Sequence, residues 1–303
     1  MSKLSKIFFD PYLFFSIFLI SFLGLFFLYS ASNGDTSIVL KQFIFVVLGL
    51  ILMLLVSQPD PDLFRRYALL FLIFSFLLLG ATILFGPEIN GAKRWVRIGS
   101  FSIQSSEFLK LALPVFLASF LHSKRLPIQP KEVIISLLII GTAFIVIAKQ
   151  PDLGTGLIVA LSGLFVLFLS GLSWGFMGGS LALLIISSPF LWNVLLQPFQ
   201  RQRIATFFGI DSDPLGAGWN IIQSKIAIGS GGLFGKGFGE GSQTQLNFLP
   251  ETETDFIFSV IGEEFGFFGV VILLSIYFFV LMRCLYLALN ARDRFCRLVI
   301  GGL

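Results

Sequence analysis

Charge is what this chain has least of. Only 13% of its residues are Asp, Glu, Lys or Arg, about half the share found in ordinary soluble domains, so a water-exposed globular fold is excluded. Histidine appears once and cysteine twice, too few for a metal centre built on imidazole and thiolate. Cys284 and Cys296 show no spacing that reads as a disulfide framework. The 21 Lys and Arg residues are spread along the chain and not gathered with aromatics, which removes a nucleic-acid surface. The single histidine, His122, closes an apolar segment beside Ser123-Lys124-Arg125 and reads as an interfacial residue.

Apolar sequence fills the space instead: 56% of residues are hydrophobic, 38 of them Phe, and the mean hydropathy is +0.92. Apolar runs lie near 14–30, 38–56, 67–85, 105–121, 132–148, 153–170, 173–193 and 256–282. Each approaches the roughly 20 residues that a helix needs to cross a bilayer. They predict an all-α polytopic membrane protein with about eight spans. A β-barrel is excluded, because its strands alternate apolar and polar residues over only about 10 positions. The first run follows Lys3 and Lys6, lacks a small-x-small cleavage site and is followed at once by another span. It therefore reads as an uncleaved first helix and not as a signal peptide.

Basic residues set the orientation. With the N-terminus inside, the inner connections hold Arg65, Arg66, Lys124, Arg125, Lys131, Arg283, Arg292, Arg294 and Arg297, and the outer ones fewer. A long connection, 195–254, then falls outside the membrane. Lys93, Arg94 and Arg97 run against the rule and ask for a reason beyond topology. The last residues, Leu298–Leu303, look like the start of another span, which predicts a single transmembrane domain over 1–303, truncated at its C-terminal end.

Four polar groups press against the apolar runs, where carboxylates and cations are expensive unless they face the interior or do chemistry. The first is Asn90–Arg97, in which Trp95 beside Lys93 and Arg94 reads either as an interfacial anchor or as a clamp for an anionic headgroup. The second is Gln104–Lys110. Here Ser106 is placed to cap a helix, and Glu107 and Lys110, three apart, can pair or present the lysine to a phosphate. The third is Lys149–Thr155, where Pro151-Asp152 suits a tight turn that caps the next helix. The fourth is Leu249–Phe258, LPETETDFIF. With a helix starting near Asp255, residues Asp255, Ser259, Gly262, Glu263 and Gly266 share one stripe, and Glu263 lies roughly 12 Å along it. Such a stripe must face the bundle or a wet cavity. The bland reading keeps Thr254 or Asp255 as a helix cap. The glycine tract 229–239 fails as a nucleotide loop, since Ser230 stands at the first glycine position and Gly237 where Ser or Thr follows the lysine. Its glycines still allow close backbone approach to a ligand, and Lys236 can meet a phosphate.

These stretches resemble the SEDS family (shape, elongation, division and sporulation), and its RodA branch more than its FtsW branch. The resemblance rests on NGAKRWVRIG at 90–99, IQSSEFLKL at 103–111, QPDLGT at 150–155, RQRI at 201–204, GAGWNIIQSKIAIGSGGLFGKGFG at 216–239 and FLPETETDFIFSVIGEEFG at 248–266. Ser105 departs from the usual proline and Glu253 from a frequent histidine. Members have about ten spans, more than are seen here, with a large outer loop before the eighth. The resemblance implies an inverting peptidoglycan glycosyltransferase of the bacterial inner membrane that polymerises lipid II during cell elongation. It implies Asp255 as general base, with Lys93, Arg94, Lys110, Lys225 and Lys236 stabilising the undecaprenyl-diphosphate leaving group. Trp95, Glu107, Asp152, Glu251 and Thr254 join them as substrate-binding candidates. It also implies a class B penicillin-binding protein, a transpeptidase, as partner. A divalent cation, Mg2+ or Mn2+, is compatible with this chemistry, and no ligand set in the sequence demands one. The alternatives are a flippase for lipid II and a non-catalytic scaffold of the elongation machinery.

Overall fold

A computed structural model describes residues 10–88, 93–98, 101–126, 128–172, 218–246 and 251–303, with isolated positions elsewhere. The expected span at 173–193 lies outside the described residues, as does most of 195–217. The chain divides into two compact units, Met1–Pro59 with Trp192–Arg283, and Asp60–Leu191 with Cys284–Leu303.

The first unit opens with α1 (Pro11–Ala31) and α2 (Thr36–Val56). Asp10 starts α1 by accepting from the Leu13 amide at 2.9 Å, with Pro11 in the first turn where its missing N–H costs nothing. A turn through Asn33 and Gly34, both at positive φ, reverses the chain, and Asp35 then caps α2 through the Ser37 amide at 2.8 Å. α2 buries none of its residues. It is long and apolar enough to cross a membrane. Arg283 forms a two-pronged ion pair with Asp10, Nε to Oδ1 at 3.1 Å and Nη2 to Oδ2 at 2.5 Å, and stacks over Tyr12.

The second unit contains α3 (Pro61–Phe85), strands β1 (Trp95–Ile98) and β2 (Phe101–Gln104), α4 (Ser105–Leu121), α5 (Pro130–Ala148) and α6 (Leu153–Leu169). Its core is built from Leu79, Leu109, Leu113, Leu117, Ile147 and Val166, all fully buried. Gly163 lets α6 approach closely: a Cβ there would stand 2.7 Å from Ile140 Cγ1 and 3.2 Å from Leu117 Cδ1. Strands β1 and β2 form an antiparallel hairpin with Trp95 opposite Gln104. Gln104, not Ser106, occupies the N-cap of α4. Ser106 is the second residue of the helix, buried within its first turn.

Inside the expected outer loop of the first unit lie two further helices, α7 (Trp219–Ser230) and the single turn α8 (Ser242–Gln245). The longest helix, α9 (Ile257–Asn290), follows them, and α10 (Arg294–Gly302) packs into the core of the second unit through Phe295 and Leu298. Five of the described helices (α1, α2, α3, α5 and α9) are long and apolar enough to cross a membrane, and α6 is a shorter apolar helix. The described residues thus form a multi-pass helical membrane protein.

Candidate active site

The acid-rich segment departs from the sequence reading in one respect. α9 starts at Ile257, so Asp255 and Thr254 belong to a turn over 251–256 and neither caps the helix. Asp255 therefore stands off the expected stripe, exposed, with no ion pair among the described residues. The rest of the stripe faces inward: Ser259, Gly262 and Glu263 are buried, as a polar row in a membrane helix requires. Gly266 leaves the helical path altogether, at φ 63° and ψ −162°.

The turn that carries Asp255 is held from several sides. Glu251 takes a left-handed φ of 54°, and its carbonyl accepts from the Thr254 and Phe256 amides at 3.2 and 3.3 Å. The Thr252 hydroxyl donates to the Ala31 carbonyl at the end of α1, 3.0 Å away. Leu249 is buried, and the Trp219 indole donates to the Phe248 carbonyl at 3.1 Å. The side chains of Glu251 and Asp255 stay exposed, and Glu253 is half-buried. Beside the turn, a cleft of about 460 Å³ is lined by Gly24 and Leu28 of α1, Ile38 and Gln42 of α2, and Glu253 and Thr254 of the turn.

The kink in α9 explains the glycine tract. A helix broken at Gly266 loses intrahelical partners, and within a bilayer each such group must be satisfied by protein. The tract supplies them. Lys236 N and Gly237 N donate to the carbonyls of Glu263 and Glu264, both at 3.0 Å, while the Phe267 and Phe268 amides donate to the carbonyls of Gly232 and Leu233 at 2.9 and 3.1 Å. The loop lies so close that a Cβ on Gly235 would stand 2.1 Å from the Glu264 carbonyl oxygen. The close approach expected of these glycines is thus toward the chain's own helix.

Lys236 is bound by the same structure. Its ammonium donates to Glu263 Oε1 at 2.6 Å and to Ser242 Oγ at 2.8 Å, and Glu263 is fully buried. Its positive charge is taken up inside the fold in this structure. Glu264, also buried, turns the other way, accepting from the Ser30 hydroxyl of α1 at 2.5 Å. Lys225 projects from α7, exposed.

In the second unit the structure gathers Arg94, Trp95, Gln104 and Asp152. Arg94 Nε and Nη2 donate to the carbonyls of Gln150 and Pro151 at 3.1 and 2.5 Å. Gln104 donates to Asp152 Oδ2 at 3.1 Å, and Asp152 Oδ1 caps α6 through the Thr155 amide at 3.3 Å. The cap expected at Asp152 is present, and the hairpin is fastened to the turn between α5 and α6. Glu107 and Lys110 pair as expected, at 2.8 and 2.9 Å, on an accessible face. Lys93 is exposed and Trp95 half-buried. Among the described residues no three His, Cys, Asp or Glu side chains are gathered as a metal site.

The acids of Leu249–Phe258 and the cations of both units were visible in the sequence. The roles of Ser30, Ser242, Gln243 and Ser224 (hydroxyl 2.7 Å from Ser259 Oγ) were not. Each lies more than 19 residues from its partner, and short polar residues at that separation leave no periodic signal.

Comparison with known proteins agrees with this architecture. Residues 11–303 match the family model for FtsW, RodA and SpoVE, described as "Cell cycle protein". The peptidoglycan glycosyltransferase MrdB of Escherichia coli K12 is 44% identical over 276 residues, which is 91% of this chain and 75% of that protein. The peptidoglycan glycosyltransferase RodA of Treponema pallidum is 30% identical, covering 97% of this chain and 86% of its own. Among solved structures, a chain from a peptidoglycan synthase complex that coordinates polymerization and crosslinking superposes with a TM-score of 0.83 at 30% identity, over 98% of this chain and 83% of that one. With a family match over nearly its whole length, the chain belongs to the FtsW/RodA/SpoVE family.

Proposed function

We propose that this protein is an inverting peptidoglycan glycosyltransferase that polymerises lipid II. The observation that carries the chemistry is Asp255, an exposed carboxylate without an ion-pair partner among the described residues, held at the mouth of a membrane helix by a braced turn. The acceptor sugar's 4-hydroxyl oxygen forms a bond to the donor's anomeric carbon. The bond from that carbon to the diphosphate breaks, and its electron pair leaves with undecaprenyl diphosphate. Asp255 takes the hydroxyl proton. Diphosphate is a good leaving group, which eases the demand on the base.

Charge developing on the diphosphate calls for preorganised cations. Lys93, Lys110 and Lys225 carry ammonium groups that reach water. Arg94 serves instead to fasten the hairpin of the second unit, and Lys236 to fasten the glycine loop of the first. Trp95 and Glu107 of the second unit, and Glu251 and Thr254 of the first, are further substrate-binding candidates, and Asp152 fixes the turn beneath the hairpin of its own unit. A divalent cation, Mg2+ or Mn2+, is compatible with this scheme as a companion of the substrate's diphosphate. The cleft beside Glu253 and Thr254 gives an aliphatic tail an apolar path next to the reacting centre. The reading places the protein in the bacterial cytoplasmic membrane with its N-terminus inside, its active site on the outer face and a class B penicillin-binding protein as partner.

The test is polymerisation of lipid II in detergent, where flipping has no meaning, by the full-length protein with its transpeptidase partner. Asp255→Asn abolishes glycan chains on this reading. Chains of normal yield from that variant would refute the assignment of the base. Transport in liposomes that depends on Asp255, without any polymer, would favour the flippase.

A further inference from the structure

We propose that Glu263 is a positioning residue for this reaction, acting through Gln243 on the segment that carries Asp255; the proposal rests on the glycosyltransferase reading above. The Glu263 carboxylate is fully buried in a membrane helix, a placement that needs a compensating set of donors. Among the described residues its donors include Lys236 Nζ at 2.6 Å, Ser242 Oγ at 3.1 Å, and the Gln243 amide, shared between its two oxygens at 3.1 and 3.2 Å. The carbonyl of the same Gln243 accepts from the amides of Phe248 and Leu249, at 3.2 and 3.3 Å. Leu249 is the buried first residue of the acid-rich segment. One residue is therefore gripped on its N–H by an intramembrane carboxylate and grips with its C=O the chain that leads to Asp255.

The grip is directional. A lysine alone would neutralise Glu263, but a backbone amide on both carboxylate oxygens fixes where α8 stands relative to α9. Lys236 adds a second hold on the same point, bridging Glu263 and Ser242 from the glycine loop. Glycine loop and single-turn helix thus meet at one buried carboxylate, and the acid segment is tied to that helix through the Gln243 carbonyl.

The experiment compares Glu263→Gln, Lys236→Met and the double variant of the full-length protein with its partner. Rates are measured against lipid II concentration, and hydrogen exchange is followed at peptides covering Gln243 and Leu249. Displacing a base by about 1 Å costs on the order of 100-fold. Each single variant should therefore lose about that factor in kcat with KM unchanged, and the double variant should lose no more than either, since both break one clamp. Exchange at Gln243 and Leu249 should quicken at least about tenfold, the loss of a charge-assisted hydrogen bond. Ser242→Ala, which removes a single donor, should move both readouts in the same direction by less and covers the case in which Glu263→Gln does not fold. A raised KM with normal kcat in Lys236→Met would overturn the proposal by making the lysine a direct anion ligand. Unchanged exchange in Glu263→Gln, or multiplicative losses in the double variant, would overturn it too. Asp255→Asn separates the two readings: it should abolish polymerisation while leaving exchange at Gln243 as it is, and if it polymerises normally the base assignment falls, while the exchange arm still judges the clamp.

Discussion

Replacing Gly235 by alanine tests whether the glycine tract is a backbone splint for the broken helix α9. Two costs combine at this position. Its φ is +82°, a conformation that disfavours any Cβ by about 1–2 kcal/mol. The added carbon would also stand 2.1 Å from the Glu264 carbonyl oxygen and 2.5 Å from the Phe265 nitrogen. Both are backbone atoms of α9 that cannot swing aside, and overpacking of this kind costs typically about 1–3 kcal/mol. The sum is about 3 kcal/mol. Gly232 provides the control for φ alone: at +57° with nothing within 4 Å of its Cβ position, alanine should cost only about 1 kcal/mol. Gly229, inside α7 with open space around it, should gain by about 0.5–1 kcal/mol. Reversible denaturation in mixed micelles, followed by circular dichroism, ranks the three. Hydrogen exchange at Lys236 and Gly237 then shows whether the loop has peeled from the carbonyls of Glu263 and Glu264. Equal losses for Gly235→Ala and Gly232→Ala would refute the reasoning, because the approach of loop to helix would then carry no energy.

The Asp10–Arg283 pair makes a prediction about acid. The Arg283 guanidinium and the Leu13 amide hold the Asp10 carboxyl below the ordinary range. A depressed folded pKa means stability that is complete above the unfolded value, about 3.8, and lost as pH falls through the lower folded one. Arg283→Gln should therefore flatten the fall in stability below about pH 4, and an unchanged acid limb in thermal unfolding from pH 3 to 6 would argue against the pair's role. Glu107 and Lys110 form an accessible i,i+3 pair, worth at most about 0.5 kcal/mol to the fold. Glu107→Gln and Lys110→Met should leave unfolding nearly unmoved, so a tenfold or larger drop in lipid II polymerisation would place them on the substrate, and wild-type rates would remove them from the site.

Periodicity and length made the membrane helices legible. Six apolar runs reappear as α1 to α6, and that at 256–282 as α9, because a stretch of Leu, Ile and Phe has no other low-energy arrangement in a bilayer. The sites where reading failed are those where tertiary partners override local preference. Ser106 is a good capping residue, yet β2 runs straight into α4 and leaves Gln104 at the cap, tied to Asp152 by its amide. The hairpin itself was hidden, since Val96 and Ile98 against Phe101 and Ile103 make too short an alternation to stand out beside long apolar runs. Asp255 was legible as an acid in a costly place. That it precedes the helix, and so escapes burial, depended on the turn organised by Glu251 at positive φ.

Two adjacent glutamates in one membrane helix then acquire distinct meanings from their neighbours. Glu263 and Glu264 lie about 100° apart around α9, so one faces the glycine loop and α8 while the other faces Ser30 at the end of α1. Ser30 lies next to Ala31, whose carbonyl anchors Thr252 of the acid segment. The turn that presents Asp255 is therefore reached from both carboxylates, by way of Gln243 on one side and by way of α1 on the other. A carboxylate buried in a bilayer is costly wherever it sits. Placing two at the break in α9 converts that cost into fixed geometry, because the described donors to them, Lys236, Ser242, the Gln243 amide and Ser30, come from segments tied to the turn that presents Asp255.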